Sequence, residues 1–192
     1  MPDAICRTTT ATIPDSCVNA YTKRFGKSWS ITDEGLSFIA EWESGILNGK
    51  NFRNQRVVEG FILTAYRDNR GFPTVGCGHL IVLGDHIEMG ETITLERARD
   101  FLKSDISKAE RAINSGVNVP LFKFEYDALV SVVYNCGAGN GASGLVDKIN
   151  TGHYDAMFEF ILPYRTHHNP NLKRRRFSEA RLFAAGVYDA AH

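Results

Sequence analysis

The chain has no surplus of charge: 22 lysines and arginines face 22 aspartates and glutamates in 192 residues. Such a chain lacks the global field that draws a protein onto nucleic acid. It has no apolar run approaching the roughly 20 residues that span a bilayer. Its start, Met1-Pro-Asp-Ala-Ile-Cys6, lacks the charged region and apolar core of a signal peptide. The expectation is a protein made in the cytoplasm, or a piece of a longer chain. There are four cysteines, at positions 6, 17, 77 and 136, with no Cys-x-x-Cys spacing to suggest zinc. Cys77 and Cys136 lie in apolar surroundings and read as buried free thiols. Cys6 and Cys17 could pair in an oxidising compartment, which the sequence leaves open. The glycine-rich stretch Gly137–Ala142 is followed by no Gly-Lys-Ser/Thr, so it is not a phosphate loop.

What is present suits a soluble fold with one well-formed core, or two small lobes sharing a helix. Residues 1–29 have no clear period and read as an irregular lead-in or linker. Ser30 or Thr32 can cap a helix, with Asp33 and Glu34 at the positive end of its dipole. Leu36, Phe38, Ile39 and Trp42 form its apolar stripe, and Ser44-Gly45 stops it. Glu43 falls in the last turn. Burial beside Trp42 and the negative helix end would both raise its pKa, as a general acid needs, although an ordinary surface glutamate fits the same place. Residues 46–58 are polar and basic and read as a loop or short helix. Residues 57–90 read as a small antiparallel β region: Phe61–Tyr66, a turn at Asn69-Arg70-Gly71, a return strand over Thr74–Leu83, and a hairpin turn at Gly84-Asp85. Helices are expected from Thr94 to Gly116, from beyond Pro120 to Asn135, from Ser143 to Asn150, from Asp155 to Tyr164, and from Lys173 to Gly186. In the last, Lys173-Arg-Arg-Arg176 spans a whole turn. At least one arginine must therefore face inward and find a carboxylate.

The hairpin Tyr66–His79 offers Asp68 and Thr74 to a single point, although each is also an ordinary turn or strand residue. Taken with Gly35–Glu43, Ala128–Gly137 and Arg174–Phe183, in that order, it resembles the phage lysozyme family, glycoside hydrolase family 24. The resemblance implies an α+β, mainly α, two-lobed fold with a β-containing lobe over 30–93 and a helical lobe over 94–192. It implies a muramidase that cuts the β-1,4 bond between N-acetylmuramic acid and N-acetylglucosamine with inversion. A helix-end glutamate would be the acid, with Asp68 and Thr74 holding the attacking water. His79, Tyr134, Asn135 and Ser143 match positions on the substrate side, with His79 read as bracing the hairpin through a carboxylate. Arg175 or a neighbour would support the acid-bearing helix. No cofactor or metal is implied; His79 with His86 lacks further ligands.

The chain departs from the family pattern at the acid. Glu43 follows the right helix, but Ser44 replaces the usual glycine and an extension follows. Glu59-Gly60 has the compact family spacing to Asp68 without that helix. Glu43 is preferred because an acid needs a fixed seat, and Glu59 is the alternative. The basic residues of 46–60 would then lie where anionic peptidoglycan passes. A glycosidase acting on chitin and a wall-binding module without catalysis are the competing functions. A phage endolysin and a type VI secretion effector with an immunity protein both fit. The long lead-in and the extended 44–60 segment favour the effector. The expectation is a monomer that acts on the cell wall.

Overall fold

Thr32 caps the first helix as its sequence requires: its hydroxyl oxygen accepts the Gly35 N–H at 3.0 Å. The computed structural model describes residues 24–190 except His168. Cys6 and Cys17 lie outside the described residues. The chain divides into two compact units. One runs to Gly35 and resumes over Lys108–Asp189; the other spans Leu36–Ser107 with Ala190. Among the described residues, no helix is long and apolar enough to cross a membrane.

In the Leu36–Ser107 unit, helix α1 (Asp33–Ser44) buries Leu36, Phe38, Ile39 and Ala40. A five-stranded antiparallel sheet follows in chain order: β1 (Gly49–Lys50), β2 (Arg56–Val58), β3 (Phe61–Arg67), β4 (Pro73–Gly76) and β5 (His79–Leu80). The segment read as a loop or short helix therefore contributes two strands. They are too short to show a period of two. The cue was turn chemistry: Asn51 accepts the Arg53 and Gln55 N–H groups at 3.0 Å each and closes the β1–β2 connection.

The return strand is also shorter than its composition suggests. Gly76 and Gly78 take φ of +65° and +90°, so the chain folds back and pairs Val75 with His79 and Thr74 with Leu80. The apolar run beyond Leu80 leaves the sheet, with Val82 and Leu83 exposed. Leu83–Asp85 forms a 3-10 turn where a hairpin turn was expected. The core of this unit joins Phe61, Ile62, Ala65 and Val75 to Ala98, Leu102 and Ile106 of α2 (Leu95–Gly116).

In the other unit, α3 (Lys123–Cys136) is buried from Glu125 to Val133. It packs against α4 (Asn140–Ile149) and α6 (Pro170–Ala185), with α5 (Met157–Ile161) against α4 and α6. Helix α4 begins at Asn140 rather than Ser143 and absorbs part of the glycine-rich stretch. A Cβ on Gly141 would stand 2.4 Å from the Cys136 carbonyl oxygen, so this close turn demands glycine. Asn169 caps α6, Pro170 occupies its first position, and Gly186 ends it at φ +66°. The end of the lead-in is tied down: Phe25 bridges to Leu121, and buried Arg24 grips Glu125 at 2.7–2.9 Å. Cys77 is a buried free thiol and Cys136 a half-buried one.

Candidate active site

The site builds outward from the end of α1. Glu43 lies in its last turn and is exposed; the dry seat expected beside Trp42 is not what surrounds its carboxylate. The Ser44 hydroxyl donates to Ile46 O at 2.8 Å and turns the chain away through Gly45. On the facing side, β3 delivers Tyr66 and then Asp68. The Asp68 backbone N–H donates to Phe72 O at 2.9 Å. Its Oδ1 accepts the Arg70 and Phe72 N–H groups at 2.8 Å each. Asp68 is thus the turn residue its bland reading described. Its second oxygen, Oδ2, takes no part in the turn.

Glu43 and Asp68 line one cavity of about 380 Å³, together with Phe52, Arg53, Tyr66 and Arg70. Thr74 pairs directly with Tyr66, and directly opposed residues of antiparallel strands share a face. It therefore stands on the cavity face of the sheet, although buried and outside the lining itself. Its hydroxyl donates to Phe72 O at 3.0 Å. Burial raises the Tyr66 phenol, and the Arg53 charge opposes that. The Cys77 thiol is pushed well above its ordinary value, first by burial and then by the carboxylates of Glu43 and Asp105. It is an inert neighbour rather than a nucleophile.

Glu59 is placed differently. Val58 pairs with Phe61, so Glu59-Gly60 is a two-residue turn, with φ of +50° and +85°. A Cβ on Gly60 would stand 2.6 Å from the Glu41 nitrogen on α1, so the turn is pressed against that helix. The Glu59 carboxylate is ion-paired with Arg99 and does not line the cavity. His79 stacks on Phe101 with ring centroids 4.1 Å apart. Its Nδ1 lies 3.2 Å from Asp105 and its Nε2 3.4 Å from Asp85, the geometry of a brace. Among the described residues, no cluster of three metal-ligating side chains accompanies it or His86.

The remaining expected residues belong to the other unit. Tyr134 is half-buried; Asn135 and Ser143 are exposed. Asn135 Oδ1 accepts from Arg176 at 2.7 Å, and the Ser143 hydroxyl donates to Asn140 O at 3.4 Å. Arg175 and Arg176 both turn inward, and the carboxylate set against them is Glu179 of the same helix. Ser131 donates to Glu179 at 2.7 Å. An inward arginine with a carboxylate was expected; that Glu179 supplies it was not, although it stands three and four residues beyond the two arginines, the spacing of neighbours on one helix face.

A profile described as phage lysozyme matches residues 56–179. The chain belongs to the phage lysozyme family. This lysozyme is 40% identical over 129 residues to the endolysin of Salmonella phage P22, covering 65% of this chain and 88% of that one. It is 35% identical over 133 residues to the endolysin of Acyrthosiphon pisum secondary endosymbiont phage 1, with the same coverage of each. Among solved structures it is similar to a P22 lysozyme variant, with 31% identity, a TM-score of 0.63, and coverage of 81% of this chain and 99% of that one. It is also similar to the endolysin from phage FAHEc1 of Escherichia coli, with 29% identity, a TM-score of 0.59, and coverage of 86% and 99%. The α+β, mainly helical class expected from the sequence is the observed one. As a member of the family this lysozyme is an enzyme, a glycoside hydrolase that cuts peptidoglycan. The segment matched by the profile begins after Glu43 and the β1–β2 loop and does not include that glutamate.

Proposed function

We propose that this lysozyme cleaves the β-1,4 bond after N-acetylmuramic acid in a single inverting displacement, with Glu43 as general acid and Asp68 as general base. The observation that carries the assignment is that Glu43 and Asp68 line one cavity, whereas Glu59 is held by Arg99 outside it. Glu43 gives its proton to the glycosidic oxygen as the C1–O bond breaks. A water attacks C1 from the opposite face and passes its proton to Asp68 Oδ2, the oxygen left over from the turn. The Thr74 hydroxyl has its hydrogen committed to Phe72 O, which leaves its oxygen to accept from that water. The bound glycan itself covers the exposed Glu43. Exchange of protons with solvent then resets both carboxyls.

Tyr134, Asn135 and Ser143 are proposed as further glycan contacts and His79 as the brace of the hairpin; Arg175, expected to support the acid-bearing helix, is instead paired with Glu179 of its own helix. The enzyme works as a monomer on the cell wall, without metal or cofactor. If it acts as a secreted effector, co-purification from its own host identifies an immunity protein.

The stereochemistry tests the mechanism. Proton NMR of the first products from peptidoglycan fragments is expected to show the α-anomer of muramic acid before mutarotation. A β-anomer appearing first means retention and overturns the single displacement. Release of reducing ends from chitin oligomers at a comparable rate would instead favour the chitinase reading.

A further inference from the structure

We propose that the β1–β2 loop, Asn51–Gln55, with Arg70 of the hairpin, is an added glycan subsite: Phe52 stacks on a sugar ring, and Arg53 and Arg70 bind carboxylates of the peptide stem. It deepens the muramidase reading and rests on it for the identity of the substrate. The loop precedes the segment matched to the family, yet it supplies much of the wall of the cavity that holds Glu43 and Asp68.

Phe52 is 87% exposed, and it is held there by a built loop. Asn51 is nearly buried. Its Oδ1 accepts the N–H groups of Arg53 and Gln55, and its Nδ2 donates to Gln55 Oε1, all at 3.0 Å. Its backbone N–H donates to Gln55 O at 3.0 Å, and the Asn54 N–H returns to Asn51 O at 2.8 Å. A rigid turn that holds a large apolar ring at the rim of a polar cavity provides a platform. The C–H groups of a pyranose face carry slight positive charge and fit the negative face of an aromatic ring.

The charges point the same way. Arg53 donates to Asn69 Oδ1 and rides 5.3 Å above the Phe52 ring. Among the described residues, neither Arg53 nor Arg70 has a carboxylate partner. Two cations at the mouth of a cavity in a neutral chain are a local attraction for an anion. A guanidinium meets a carboxylate with two parallel bonds. On a wall glycan the anion comes from the peptide stem or from a phosphate polymer attached to it. The arginines flank the residues proposed to handle the muramic acid linkage, the sugar that bears the peptide, which favours the stem.

The test compares wild type, Phe52→Ala, Phe52→Trp and the double variant Arg53→Ala/Arg70→Ala. Substrates are peptidoglycan freed of attached polymers, the same glycan with its peptides removed, and wall that retains its polymers. Phe52→Ala should raise KM about tenfold on all three and leave kcat within about twofold; Phe52→Trp should restore KM. The double arginine variant should raise KM about tenfold on peptide-bearing glycan and leave the stripped glycan unaffected. An unchanged KM for Phe52→Ala overturns the platform. An arginine effect equal on stripped glycan, or confined to polymer-bearing wall, overturns the stem assignment. The same substitutions in a Glu43→Gln background are followed by sedimentation with insoluble wall. If wild type releases no reducing ends, the muramidase reading fails, while sedimentation still decides the subsite.

Discussion

Glu59 carries the glutamate-glycine spacing that the family resemblance asks for, yet its carboxylate is engaged by Arg99 at the tip of a tight turn. Glu43 has the less typical neighbour, Ser44, and stands in the cavity with Asp68. The sequence favoured Glu43 through the capped amphipathic helix ahead of it. It could not show that Arg99, 40 residues further on, claims the competitor. At Asp68 one oxygen builds the turn and the other stays outside it, so the turn role does not compete with the catalytic one proposed for it.

Asp127 makes a separate prediction. It is buried and accepts the Thr32 N–H, the Thr32 hydroxyl and the Tyr188 hydroxyl, anchoring the residue that caps α1. Burial raises its pKa above the ordinary 3.8, against those hydrogen bonds. The folded state therefore holds the proton more tightly than the unfolded chain. The stability this group contributes is full below about pH 4, the unfolded value, and falls as pH rises through the raised folded value. Asp127→Asn lacks this titration. The stability of wild type relative to Asp127→Asn should accordingly be greatest near pH 3.5 and smaller at pH 7. Urea denaturation at the two pH values checks it, and a wild-type advantage that grows with pH contradicts it.

Helices were the most legible elements. Helix α2 follows its cap and stripe from Thr94 to Gly116, and α6 ends at Gly186 as expected but begins at Pro170, ahead of the expected Lys173. Long amphipathic segments repeat their signal over several turns. Strands of two and three residues cannot, which is why β1 and β2 were hidden and β4 and β5 read as one strand. Their existence depends on glycines and on Asn51, whose effect is three-dimensional. The inward arginines of α6 were legible as a requirement, but their answer was local. Arg176 and Glu179 are both fully buried, with Ser131 completing the network. Glu179→Ala should destabilise the protein by about 3–5 kcal/mol, because it leaves buried guanidinium groups without their carboxylate. Chemical denaturation measures this, and a loss below about 1 kcal/mol would show that the network is not needed for stability.

Taken as a whole, the molecule is neutral, so any attraction to an anionic wall has to be local. Arg53 and Arg70 supply such a place beside the cavity. The family match covers residues 56–179 and includes Glu59, Asp68, Thr74 and His79, while α1 and the β1–β2 loop precede it. Glu59 thus lies inside the matched segment and Glu43 ahead of it, whereas Glu43 is the one that lines the cavity with Asp68. Wall clearing by separately purified Glu43→Gln and Glu59→Gln, each with its melting temperature checked, decides between them. Glu43→Gln should lose about a hundredfold or more in rate while staying folded, the size of effect expected for a general acid. Glu59→Gln should stay within about threefold of wild type, since a half-exposed ion pair contributes little. A folded Glu43→Gln that clears walls at the wild-type rate would contradict the account.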